Sequence, residues 1–183
     1  MTEKKLSVRI LRMYATDQDM RMRAFKEQWP LSKRMKIRDL DLRNRPELKR
    51  IITSHGWPTF DLVGKKAAHA FWVLVQHADE DLSFQKKCLN MMKQAFKVGQ
   101  ALPEDLAFLT DRVMLNTRKK QCYGTQFRLV DGVREPYPII DRKNVDRRRK
   151  AVGMSTLAVA TRKHNALLKK LKKIASLPLS KAP

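Results

Sequence analysis

The sequence predicts a mainly α, single-domain fold, and three features carry that expectation. Apolar residues recur at helical spacing over most of the chain. Pro30, Pro46, Gly56, Gly99 and Gly153 punctuate those stretches. One segment, about 121–140, changes to a strand-like pattern around Asp131-Gly132. The expected architecture is a helical bundle of about six helices with one β-hairpin (about 121–140) packed on it. Residues 1–160 form the helical domain, and 161–183 a basic C-terminal helix and tail. The 183 residues, 43% of them hydrophobic, suffice for one buried core.

Residues 4–28 read as an amphipathic helix through Leu6, Ile10, Met13, Tyr14 and Phe25, ended by Pro30. Residues 31–45 are rich in Lys and Arg and poorly patterned, and read as a loop or a short helical turn. A helix then starts at Pro46-Glu47, buries Leu48, Ile51 and Ile52, and stops at Gly56. Trp57-Pro58-Thr59 makes a rigid bend.

The next helix organises the rest. Ala67, Ala68, Ala70, Phe71, Trp72, Val73, Leu74 and Val75 leave almost no polar face, so it is expected at the centre. Gln76, His77 and Asp79 follow at its C-terminal end, where they need partners. Asp81 or Ser83 caps a helix over roughly 82–98 with Phe84, Cys88, Leu89, Met92, Ala95 and Phe96 inward. Pro103-Glu104-Asp105 opens another through Leu106, Leu109 and Val113. Asp131-Gly132 supplies a type I′ turn between β-rich arms. Pro136 and Pro138 confine the second arm to an edge, and Gly124 marks a bulge or a close backbone approach. Asn144 is expected to cap a short helix ending at Gly153, and Ser155 a last helix over about 156–176.

The net charge is +22, and residues 142–183 hold 13 Lys and Arg against one acid, Asp146. Such an excess favours polyanionic partners: nucleic acid, the ribosome or another ribonucleoprotein, or an anionic membrane surface. The expected contacts are Arg147, Arg149, Lys150, Lys169, Lys170, Lys172 and Lys173. The two cysteines, Cys88 and Cys122, suggest neither a disulfide framework nor a metal motif. The N-terminus lacks an apolar signal-peptide core and the longest apolar run is too short to span a bilayer. A cytoplasmic chain without a transmembrane segment is the expectation.

For chemistry, histidine is the side chain suited to acid–base work near neutrality, which makes His77 the candidate, with Asp79 or Asp111 to orient it. Gln76, Gln85, Gln121 and Gln126 can hold a small-molecule substrate through their amides. Arg112 can grip an anionic group. His69 and His77 are eight residues apart, about 80° and about 12 Å on a helix, too far to share one ion. No metal or other cofactor is expected. His69 is expected to bond a backbone carbonyl. Walker, GxGxxG and GxSxG motifs are absent.

HGWPT at 55–59, AFWVLVQHAD at 70–79, Phe84-Gln85, LTDRV at 109–113, YGTQF at 123–127, PYPIID at 136–141 and VDRRRKAVG at 145–153 resemble a catalogued bacterial family of unknown function. Its DQ-x-x-R pattern is matched by Asp17, Gln18 and Arg21. The resemblance covers about residues 5–160. It implies one shared pocket built from Asp17, Gln18, Gln76, His77, Asp79, Gln85, Asp111, Arg112, Gln121, Tyr123, Gln126, Asp146 and Arg148, with no activity attached. The chain departs from that pattern at Arg118-Lys119-Lys120, where a Gly-containing turn is usual, and in its Lys-rich tail after residue 160.

Three functional readings follow. The first is a small hydrolase or transferase with His77 as general acid/base and an anionic substrate, phosphate-bearing or nucleic acid, held by Arg112 and Arg148. The second is a non-catalytic nucleic-acid or ribonucleoprotein binder; a toxin-like nuclease would combine both. The third is a protein-interaction or immunity-type module whose polar residues only brace the fold.

Overall fold

The computed structural model of the chain describes residues 3–175. Among them lie eight α-helices: α1 (Lys4–Lys26), α2 (Leu31–His55), α3 (Phe60–Val63), α4 (Lys65–Gln76), α5 (Leu82–Lys97), α6 (Pro103–Asn116), α7 (Val145–Ala151) and α8 (Leu157–Ala175). Two antiparallel strands, β1 (Phe127–Val130) and β2 (Val133–Pro136), stand between α6 and α7.

The apolar helix is central as expected. α4 packs against α1, α2, α3, α5 and α6, and buries Ala67, Ala68, Ala70, Phe71, Leu74, Val75 and Gln76. Its alanines let neighbouring helices approach closely, while Phe71 meets the edge of Trp57 at 5.4 Å between ring centroids. Each large apolar side chain buried here contributes about 1.5–3 kcal/mol relative to exposure. Because α4 is enclosed on most sides, its last residue, Gln76, is delivered into the protein, while His77 is half-buried and Asp79 just beyond is exposed.

Residues 31–45 are helical, contrary to the loop expected there. α2 runs unbroken from Leu31 to His55 with Pro46 inside it. Only Leu40 is buried before Leu48, so no apolar stripe marks this half in the sequence. Charge pairs fasten it instead: Asp41 to Arg21 of α1, and Arg38 and Arg45 to Glu80.

Asp81 caps α5, its Oδ1 accepting from the Phe84 amide at 3.1 Å. Two other expected caps fail. Asn144 makes no capping bond and donates to Asp141 instead. The first turn of α8 is bonded by Asp146, which accepts from Leu157 N at 2.6 Å, and by Thr156, not by Ser155. Asp146 reaches it from α7, a tertiary contact that no local motif announces.

The hairpin turns at Asp131 and Gly132, φ +47° and +78°, and pairs Val130 with Val133. Its strands are shorter than the 121–140 segment. Beyond Pro136 the Tyr137 amide donates to the Gln126 carbonyl and an isolated bridge joins Gln121 to Ile139, while Pro136 and Pro138 lack the donors a longer ladder needs. Gly124 is a close backbone approach: a Cβ there would stand 2.7 Å from Leu157 Cδ1. α8 packs on β2, and Asn165 both donates to and accepts from the Arg134 backbone. Among the described residues no helix is long and apolar enough to cross a membrane.

Candidate functional site

Two polar groups stand at the end of α4, and a third holds the loop before the hairpin. The first joins α4 to α1 and α2. His77 caps α4, and its Nδ1 lies 3.1 Å from Asp17 Oδ1. Asp17 is 0% exposed, whereas the His77 side chain is 20% exposed. Gln18 and Arg21 donate to the same carboxylate at 2.8 and 2.9 Å, and Arg21 bridges onward to Asp41 at 2.5 Å. Burial alone would raise the Asp17 carboxyl. The His77 hydrogen bond and charge, with the Arg21 guanidinium, outweigh burial and hold it below the ordinary range. Asp41 goes the other way, pushed up by burial against the pull of Arg21 and His77.

An ionised carboxylate only accepts, so His77 Nδ1 carries the proton, and in the neutral ring Nε2 keeps its lone pair. The orienting acid is therefore Asp17, not the expected Asp79 or Asp111. Asp17, Asp41 and His77 place ligand atoms within 4.8 Å of one another. Arg21 already bonds both carboxylates there and supplies the positive charge.

The second group joins α4, α5 and α6. Arg112 Nε donates to Gln76 Oε1 at 2.5 Å, and its Nη1 to Asp79 at 2.7 Å. Asn116 donates to Asp79 and to Gln85 Oε1, while Gln85 Nε2 donates to the Val75 carbonyl and to Asp79. Gln76 Nε2 is buried without a partner among the described residues.

The third group builds the loop before the hairpin. Asp111 is buried and accepts from the amides of Cys122, Tyr123 and Thr125 and from the Thr125 hydroxyl, all at 2.7–3.1 Å. Burial raises its carboxyl despite those donors. Gln121 clamps the Gln126 and Tyr137 carbonyls. Arg148 holds the Cys122 and Ile140 carbonyls. Arg149 is 2% exposed and bonds the carbonyls of Tyr123 and Ser155. Arg148 and Arg149 thus both bond backbone carbonyls, and Arg148 also pairs with the Asp141 carboxylate at 3.5 Å. Of the other expected polyanion contacts, Arg147, Lys150, Lys169 and Lys170 are exposed, while the side chains of Lys172 and Lys173 lie outside the described residues.

Hydrogen bonds thus distribute the residues expected in one pocket over three groups. His77 bonds Asp17 on the α1 side, and no hydrogen bond joins it to Tyr123 or Gln126. Gln126 instead shares a cleft with Arg112. This cavity of about 590 Å³ lies between the end of α6 and the hairpin. Arg112, Arg118, Lys119 and Lys120 line it with Asn116, Gln126, Phe127 and Tyr137, and no carboxylate does. A second cavity, about 300 Å³, shares Arg112, Gln126 and Phe127 with it and reaches Arg134, His164 and α8. Asn116, Phe127 and Tyr137 were not anticipated at a site. Nothing in their spacing links them, because α6 and the hairpin meet only through the third group. His69 also differs from expectation: its partner is Asp105 at 2.8 Å, whose carboxyl burial pushes up to about 6.

Comparison with curated proteins and with solved structures yields no match. One family model matches residues 4–170, nearly the whole helical fold including the three polar groups. The chain belongs to that family, a family of unknown function (DUF6624).

Proposed function

We propose that the chain binds a phosphate-bearing polyanion in the cleft between the end of α6 and the hairpin. The observation that carries this reading is Arg118. It holds a left-handed φ of +58°, a conformation that costs a side-chain-bearing residue about 1–2 kcal/mol and glycine almost nothing. Arg118 is exposed and forms no side-chain hydrogen bond or ion pair with the described residues. Lys119 and Lys120 follow it, equally unpaired, on a wall without carboxylates. Adjacent cations with no counter-charge repel one another, and a polyanion relieves that repulsion while releasing its own counterions. The overall charge of +22 adds long-range attraction.

Heparin retention as a function of salt tests this. Arg118→Gly is expected to elute at lower salt, with a binding slope reduced by about one, while folding is unharmed. Unchanged elution overturns the reading.

A second reading has its own observation. Asp17 fixes the tautomer of a partly exposed His77 and leaves Nε2 unbonded by any described residue, the arrangement of a general base. Its natural substrate would be a phosphodiester brought by the basic cleft. Cleavage of an RNA oligonucleotide by the parent chain, lost in His77→Gln at unchanged melting temperature, is the expected result. No cleavage by the parent removes this reading and leaves His77 as a brace.

A further inference from the structure

We infer that the polyanion of the basic cleft is single-stranded nucleic acid, with an unpaired base laid against Tyr137 and Phe127 and the phosphates on Arg118, Lys119 and Lys120. This rests on the polyanion reading and goes beyond it by naming the ligand from the cleft's aromatic wall.

Phosphates alone require only the cations. Phe127 and Tyr137 line the same cavity. Tyr137 is 36% exposed, and its hydroxyl bonds no described residue. Phe127 is backed by His164, stacked on it at 3.9 Å between centroids and 24° between planes, so the ring is held as a platform. A sulfated glycan or polyphosphate has no aromatic face for these rings, whereas every nucleobase has one. The amides point the same way. Gln126 Oε1 and Asn116 Oδ1 accept no hydrogen bond from the described residues, which leaves acceptors for base amino groups beside the rings.

Shape separates single from double strands. A recess of about 590 Å³ suits one nucleotide unit rather than a helix. In a duplex the bases are stacked and paired, so the rings would stay idle and only backbone charge would count. The smaller cavity that shares Arg112, Gln126 and Phe127 offers Arg134 to a neighbouring phosphate.

Fluorescence anisotropy of the full chain tests the inference. The probes are a labelled 12-nucleotide RNA, the DNA of the same sequence, the duplex form of that DNA, and heparin as competitor, all at one salt concentration. Single strands are expected to bind about ten-fold tighter than the duplex. Tyr137→Leu is expected to weaken single-strand binding about ten-fold and to leave heparin affinity unchanged. Arg118→Gly is expected to weaken all four. Tyr137 is exposed and its hydroxyl bonds no described residue, so its replacement should fold; circular dichroism checks that. Equal affinity for the duplex, or single-strand binding indifferent to Tyr137→Leu, overturns the inference while the polyanion reading stands on the Arg118→Gly result. If Arg118→Gly changes no affinity, both fall.

Discussion

His77 Nδ1 stands 3.1 Å from Asp17 Oδ1, and that contact ties the end of the central helix to the middle of the first one, 60 residues away in sequence. Asp17 is wholly buried and serves His77, Gln18 and Arg21 at once. Asp17→Ala is therefore expected to destabilise the chain by about 3–5 kcal/mol at pH 7, since it leaves the Gln18, His77 and Arg21 donors without their buried acceptor and breaks a buried ion pair. The carboxyl is held below its ordinary value of 3.8. A lowered folded value means that the unfolded chain binds more protons near that pH. The stabilisation is thus fully present above about pH 4 and is lost as pH falls through the folded value. Urea denaturation of parent and variant at pH 7 and pH 3 measures this; a constant difference contradicts it.

Arg118→Gly is expected to raise stability by about 1 kcal/mol, or about 2–4 °C in melting temperature for a chain of this size. It relieves the left-handed strain at φ +58° and removes one of three adjacent unpaired cations. Thermal denaturation decides, and a lowered melting temperature would show that the arginine supports the fold.

Asp111 organises the loop that carries Tyr123 and Gln126. Asp111→Ala leaves the amides of Cys122, Tyr123 and Thr125 without their acceptor, each costing about 1–3 kcal/mol. Global destabilisation is expected, with Cys122 becoming more reactive toward a thiol reagent as its loop loosens. In the parent, burial raises that thiol and slows its attack. Unchanged Cys122 reactivity would argue against this role.

Asp81 combines a cap with an ion pair. It accepts from Phe84 N and Ser83 Oγ, and Lys49 Nζ lies 2.6 Å away. The Lys49 hydrogen bond, opposed by burial and helped by the Phe84 amide, brings its carboxyl down to about 2. Asp81→Ala should cost about 1–2 kcal/mol at pH 7. The difference from the parent should fade between about pH 4 and pH 2, where the unfolded and then the folded carboxylate protonates. Asp81→Asn keeps the acceptor and should recover about half.

Local signals were legible where the cause is local. The α4 segment announced its burial by carrying almost nothing polar, Asp131-Gly132 announced its turn, and Gly124 announced a tight approach. Residues 31–45 were not legible as helix, because ion pairs with α1 and with Glu80 hold that half of α2 rather than an apolar stripe. The caps at Asn144 and Ser155 failed for a related reason. Asp146 reaches the start of α8 across a tertiary gap and takes the bond that the local residue would have made.

The candidate site divides along the same line. Residue identity already determined that Gln76, His77 and Asp79 leave the central helix together as polar groups needing partners, and that the chain carries a large positive excess. Only the tertiary structure decided which partners they take. Asp17 rather than Asp79 orients His77; Arg149 is consumed by backbone carbonyls; and Arg118, Lys119, Phe127 and Tyr137 come to one wall. The reason is geometric. Hydrogen-bond and charge partners are chosen by distance and direction between elements far apart in sequence, and periodicity along one element carries no record of what will stand opposite it.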